Sequence, residues 1–200
     1  MFSSKVIMWG GVAGAFGGFF WLMAAIAPQS PSLILALVLG LGGLVSLYSR
    51  QVGQDGKLNL AGFVLGIIGT GLILASLWGP IANSNPQTNP GSASPRVLII
   101  DLGMPILGLG LALLGVASLR TKNRWWGLPL GLGFLNIMIG ITIWLLIQIP
   151  LSHGEKPAWP GAYQPVFAEF VLLGFGWLIQ GSGLASEAET KVVQPPPASA

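Results

Sequence analysis

Two acidic residues lie inside long apolar stretches of the chain, where a charge is costly. Asp101 follows the residues VLII, and Glu169 follows VFA. A charged side chain at the centre of a membrane helix costs roughly 2.5–3.5 kcal/mol on insertion, and such residues commonly have a function. Because carboxylate oxygens suit a hard cation or a proton relay, Asp101 and Glu169 form the candidate ion or ligand site.

The helices that position these acids are expected to hold them at the same depth. Each acid lies about one turn into its apolar segment, roughly 6–8 Å from the helix start at 1.5 Å per residue. Pro105 has no N–H to donate to the carbonyl of residue 101, so Asp101 offers a backbone oxygen beside its carboxylate. A shared cation or proton site requires that the two carboxylates face each other in the folded chain.

A structural role for the acids is the other interpretation. The helix macrodipole favours a carboxylate in the first turns of a helix. Arg96, His153 and Lys156 occupy the neighbouring outer loops and are candidate rim partners for either acid. On this interpretation the acids anchor their helices at the membrane surface and bind no ligand.

The remaining residues exclude most catalytic and cofactor chemistry. There are no cysteines and only one histidine, which excludes thiolate metal sites and bis-histidine haem ligation within one chain. The sequence contains no P-loop, no HExxH motif and no aspartate cluster. Ser182 stands between two glycines as in a nucleophile turn, but His153 falls in a loop on the opposite predicted side. We expect no enzyme activity, no metal and no cofactor.

The composition is that of an integral membrane protein, with the lipid bilayer as its first partner. Charged residues make up 8% of the 200 residues, against about 25% in soluble domains. The apolar residues amount to 52%, and the mean hydropathy is +0.75. So few charges cannot cover a soluble domain, and so apolar a chain is not disordered. The net charge of +3 is scattered over loops, so nucleic acid is not an expected partner.

Six apolar runs are long enough to cross a hydrocarbon core of roughly 30 Å as helices. They cover residues 6–27, 32–48, 58–81, 97–119, 126–149 and 165–185. The predicted fold class is therefore all-α, with a six-helix transmembrane domain over residues 1–185. Residues 186–200 are polar and include three consecutive prolines, so they are predicted to form a disordered cytoplasmic tail.

The cations divide unevenly between the two sides of this arrangement. With the N-terminus inside, seven of the nine Lys and Arg residues lie in cytoplasmic segments, and only Arg96 and Lys156 lie outside. The positive-inside rule then predicts that both termini are cytoplasmic. The first span could instead be a signal peptide. Against this, its apolar stretch exceeds a usual h-region, and Pro28 follows the candidate cleavage site.

Glycines recur at helical spacing and predict a glycine-rich bundle, because helices in lipid associate through small residues. Gly10, Gly14 and Gly18 form the longest stripe, and Gly62 and Gly66 form another. Packing within one chain is the first interpretation of these stripes. The alternative is contact with a second copy or with another membrane protein, for which the stripe of the first helix is the best candidate.

Helices two and three resemble helices four and five in sequence. A shift of 72 residues aligns six identical residues of helix two with helix four, among them Gly43 with Gly115 and Ser46 with Ser118. Both hairpins run in the same predicted direction, so this similarity indicates a parallel repeat of the kind found in some transporters. Leucine and glycine are so frequent in this chain that chance is an equal explanation.

Two functional hypotheses follow. The first is a structural or accessory subunit of a membrane assembly, because the loops are short and the residues for catalysis are lacking. The alternative is a small transporter, or an ion- or proton-translocating protein, that uses Asp101 and Glu169.

Overall fold

Six helices make up the described part of the chain. The structure, a computed structural model, describes residues 3–26, 31–52, 56–77, 95–120, 127–148 and 163–193, with the backbone alone at 95–101, 147–148, 163–166 and 190–193. The helices are α1 (Ser4–Ile26), α2 (Ser32–Gln51), α3 (Gly56–Ser76), α4 (Pro95–Arg120), α5 (Gly127–Ile143) and α6 (Tyr163–Val193). A π-helical turn, Trp144–Gln148, continues α5, and these ranges contain no strand. All six helices are long and apolar enough to cross a membrane, by length and composition alone. The prediction of an all-helical chain with six such segments is confirmed.

The helices pack into a closed ring. Each one contacts the next along the chain, and α6 returns to pack on α1. On α1, Gly10 lies against Ser46 of α2. Further along, Gly17 lies against Ala36, so α1 and α2 run antiparallel. Each following pair of neighbouring helices in the ring is also antiparallel. We call the end of the bundle at which α1, α3 and α5 begin the amino end, and the opposite end the far end.

Within the ring, the closest contacts define two groups of three helices. In the first group α1 packs between α6 and α2, and in the second α4 packs between α3 and α5. Smaller interfaces join the groups, between α2 and α3, between α5 and α6, and between α2 and α4. We call these joining interfaces the seam.

Glycines allow the close approach inside each group. A Cβ at Gly18 of α1 would lie 2.5 Å from the carbonyl oxygen of Gly174 in α6. In the second group, a Cβ at Gly110 of α4 would lie 2.5 Å from the backbone nitrogen of Gly66 in α3. Backbones at these positions are in contact, which only glycine permits.

The core lies where the two groups meet and is apolar. Its most deeply buried large side chains include Trp21, Leu44, Ile73, Leu111 and Leu173. Large apolar side chains are also exposed on every helix, for example Phe16 and Phe134. An apolar core within an apolar outer surface is typical of a bundle that sits in lipid.

Three helix ends differ from the sequence prediction by three residues or more. The third helix ends at Ser76, five residues before its predicted end at 81. The second helix continues three residues beyond the predicted end, to Gln51, and α6 continues from the predicted end at 185 to Val193. Ala188 is buried, and the preceding residue Glu187 forms an ion pair with Arg50 of α2. These contacts hold the last turns of α6 against the bundle. Residues 194–200, the rest of the predicted tail, lie outside the described residues.

The two hairpins of the proposed parallel repeat pack differently. A Cβ at Gly115 of α4 would lie 2.6 Å from the backbone nitrogen of Leu130, so α4 and α5 are in backbone contact. The α2–α3 interface instead places the Leu44 side chain against Gly66 and stacks Tyr48 on Phe63. Closely similar packing of the two hairpins is therefore not observed.

Candidate functional site

Glu169 is a half-buried carboxylate that joins α6 to α5 near the far end. The Thr142 hydroxyl donates a hydrogen bond of 2.9 Å to its Oε1. Its other oxygen, Oε2, is buried and has no hydrogen-bond partner among the described residues. A buried polar atom without a partner costs about 1–3 kcal/mol, and more when it is charged. The carboxylate is therefore held by one oxygen, while the other can accept a proton, a cation or a hydrogen-bond donor.

The backbone beside this carboxylate is irregular. The π-helical turn begins at Trp144, two residues after Thr142. Such turns are rare and occur frequently at functional sites. The sequence contains no proline or glycine in this turn, so its irregular geometry was not predicted.

Asp101 lies at an equivalent position of α4, the seventh residue of the helix, as Glu169 is the seventh residue of α6. Pro105 lies inside α4, so the carbonyl of residue 101 receives no helical N–H there. The side chain of Asp101 lies outside the described residues. Because α5 packs against both α4 and α6, the two acids belong to helices that are not neighbours in the ring.

The candidate rim partners of the acids cannot be placed around them. Arg96 lies in the first turn of α4, with its backbone alone described. His153 and Lys156 lie outside the described residues. The partner found for Glu169 is Thr142, a neutral hydroxyl that the sequence analysis did not single out.

A second set of polar side chains lies at the amino end. Gln51, the last residue of α2, is 2% exposed and donates from Nε2 to the Leu114 carbonyl at 3.3 Å and to the Ser118 hydroxyl on α4. Asn59 of α3 is 1% exposed and donates from Nδ2 to the Tyr48 carbonyl of α2 at 3.2 Å. These bonds tie α2 to both neighbours across the seam.

The spacing of residues along α3 could have indicated the position of Asn59, whereas nothing in the sequence indicated the ion pair between Arg50 and Glu187. Asn59, Gly62 and Gly66 recur at spacings of three and four, so they share one face of α3. From the sequence, Arg50 is one of the seven cations that indicate the cytoplasmic side, and Glu187 belongs to the predicted tail. Their pairing depends on the fold, which brings the ends of α2 and α6 together.

The five predicted packing glycines all lie at helix contacts within the chain. In α1, Gly10 and Gly14 face α2, and Gly18 faces α6. In α3, Gly62 lies against Leu114 of α4. Gly66 lies between Leu44 of α2 and Gly110 of α4. The stripe of α1 is therefore occupied by helices of the same chain.

Among the described residues there is no group of three or more His, Cys, Asp or Glu that could hold a metal ion. Comparison with known proteins gives no further assignment. No protein-family model, no curated protein and no solved structure matches the chain significantly.

Proposed function

We propose that the protein is a non-catalytic, multi-pass membrane protein that acts as a structural or accessory subunit of a membrane assembly. The supporting observation is the apolar layer between the two polar ends. One small pocket between the described helices has a volume of about 10 Å³, the space of one water molecule. Its lining is mostly apolar and includes Leu37, Leu107, the indole rings of Trp21 and Trp177, and Thr70, which carries a hydroxyl. The Thr70 hydroxyl is bonded to its own helix, at the Gly66 carbonyl.

This layer favours a structural role over conduction. A proton or ion crossing the bundle needs polar groups or water at successive depths. Between the Glu169 carboxylate and the amino-end amides, the described helices also bury Thr70 and Asn136, and each of these donates to a carbonyl of its own helix. The glycine-rich packing belongs to the same proposal, as a device that builds the bundle, and the parallel repeat of helices two and three with four and five is proposed as a similarity of sequence alone.

The test is purification of the tagged chain from its native membrane in a mild detergent. A subunit of an assembly is expected to elute in a complex of defined size, with partners in fixed ratio. An unrelated six-helix protein with the same tag, expressed at the same level, is the control. A monomer without partners would contradict the proposal.

Translocation through Glu169 is the second candidate, favoured by the buried Oε2 atom that lacks a partner. The purified protein in liposomes would be assayed for flux of protons and monovalent cations. Translocation predicts flux that Glu169→Gln and Asp101→Asn both abolish. Glu189→Gln, at an exposed position of the same helix, is the matched control. Absence of flux in the unmodified protein would exclude this function.

A further inference from the structure

The amino end contains two buried amides whose orientations are fixed by what they donate to. Gln51 Nε2 lies 3.3 Å from the Leu114 carbonyl oxygen, and Asn59 Nδ2 lies 3.2 Å from that of Tyr48. A backbone carbonyl only accepts hydrogen bonds, so in each amide the nitrogen must point at the carbonyl. The amide oxygens consequently point elsewhere. Gln51 Oε1 and Asn59 Oδ1 are both buried and have no hydrogen-bond partner among the described residues.

The two amides belong to one small region. Asn59 bonds the carbonyl of Tyr48, which lies one turn before Gln51 in the last turn of α2. Gln51 in turn reaches Leu114 on α4, the residue that Gly62, one turn after Asn59, also contacts. Both amides therefore lie where the ends of α2 and α4 meet the start of α3.

Among the described residues, the charged side chains beside this region are one ion pair and two exposed cations. Arg50 is paired with Glu187 on α6. Lys57 and Arg120 are exposed at the same end, where solvent screens them. The carbonyls at the ends of α2 and α4 add the negative ends of two helix dipoles, against one positive end at the start of α3, and the balance favours a positive ligand.

We propose that the amino end of the seam binds a monovalent cation through the neutral oxygens of Gln51 and Asn59. Neutral amide and carbonyl oxygens coordinate K⁺ and Na⁺ in membrane proteins, and helix C-termini contribute to such sites. Calcium sites generally draw on carboxylates, and the one acidic side chain described beside this region, Glu187, is committed to Arg50. The cation satisfies two buried acceptors at once and ties α2 to α3 and α4 across the seam. This site is independent of Glu169 and of any transport.

Thermal unfolding of the full chain in detergent tests the proposal. The melting temperature would be measured in NaCl, KCl and N-methyl-D-glucamine chloride at equal ionic strength. A cation that binds only the folded state raises the melting temperature by about 3 °C or more at saturation. Equal melting temperatures in all three salts would overturn the proposal and leave water as the partner of these amides.

Variants locate the site. Gln51→Met and Asn59→Leu are each expected to remove the dependence on the cation. Asn136→Leu is the matched control, because Asn136 is also a buried amide whose Oδ1 has no partner among the described residues, but it lies on α5. Asn136→Leu is expected to lower the melting temperature but to keep its dependence on the cation. If the dependence survives in Gln51→Met and in Asn59→Leu, the site is elsewhere and the proposal is wrong.

Calorimetric titration of the unmodified protein with NaCl and KCl does not rely on the variants folding. We expect saturable binding of one ion per chain, for Na⁺, K⁺ or both. No saturable binding of either ion would overturn the proposal.

Discussion

At the scale of single residues, the glycines differ sharply in what surrounds them. A Cβ at Gly18 would lie 2.5 Å from two backbone atoms of α6, the Gly174 oxygen and the Leu178 nitrogen. A Cβ at Gly40 of α2 would meet nothing within 4 Å. Backbone atoms cannot rotate away as a side chain can, so the same methyl group has opposite consequences at the two positions.

Gly18→Ala is expected to destabilise the protein, and Gly40→Ala is not. Overpacking a close contact costs about 1–3 kcal/mol, whereas alanine in an open helical position gains up to about 1 kcal/mol over glycine. Thermal unfolding in detergent should give a lower melting temperature for Gly18→Ala and an equal or higher one for Gly40→Ala. Equal melting temperatures for the two variants would contradict the close packing of α1 on α6.

At the scale of elements, two kinds of contact build the ring. Backbone contacts at glycines join the helices inside each group of three, and the first group also has the Ser46 bond to the Ile7 carbonyl and the Arg50–Glu187 pair. Side-chain hydrogen bonds cross the seam, from Asn59 to α2, from Gln51 to α4, and from Thr142 to Glu169 of α6. Because lipid offers no hydrophobic reason for helices to associate, these few polar bonds add both stability and register at the seam.

Thr142→Val tests one seam contact. The substitution keeps the shape of the side chain and removes the donor to Glu169, at a cost of about 0.6–1.7 kcal/mol for a bond between membrane helices. Thr70→Val is the matched control, because the Thr70 hydroxyl bonds the carbonyl of its own helix, Gly66. Thermal unfolding should show a larger loss for Thr142→Val. A larger loss for Thr70→Val would contradict the assigned role of the seam bond.

The last turns of α6 give a second prediction at this scale. A chain that ends after Ser186 loses Glu187, the ion-pair partner of Arg50, and the buried Ala188. A chain that ends after Glu189 keeps both. Each kcal/mol lost lowers the melting temperature by about 2–4 °C in a chain of this size, so the shorter chain should melt earlier. Identical melting of the two would show that the extension of α6 contributes no stability.

The sequence predicts where the helices lie along the chain better than it predicts which helices pack against each other. Apolar runs of about 20 residues identify six spans, and spacings of three and four identify the glycine faces. Helices that are apolar on every side carry no pattern that says which face meets which helix. The ring order, the Thr142–Glu169 bond and the Arg50–Glu187 pair depend on that missing information.

At the scale of the whole molecule, charge is concentrated at one end of the bundle. The cations whose side chains are described, Lys5, Arg50, Lys57 and Arg120, all lie at the amino end, whereas Arg96 lies in the first turn of α4, at the far end. If the helices cross a membrane, this end should face the cytoplasm by the positive-inside rule, and both chain termini with it, because six spans are an even number. The proposed cation site would then open towards the cytoplasm, and Glu169 would lie near the outer surface.

Single cysteines test this orientation without interference, because the chain has none of its own. Val52→Cys follows α2 at the amino end, where Val52 is 41% exposed. Ser92→Cys lies in the connection between α3 and α4, and neither substitution alters a charge that sets the topology. In intact cells, a membrane-impermeant maleimide should label Ser92→Cys and spare Val52→Cys. After permeabilisation it should label both, which controls for reactivity. Labelling of Val52→Cys alone in intact cells would mean that the bundle is inserted the other way round, with the basic end outside.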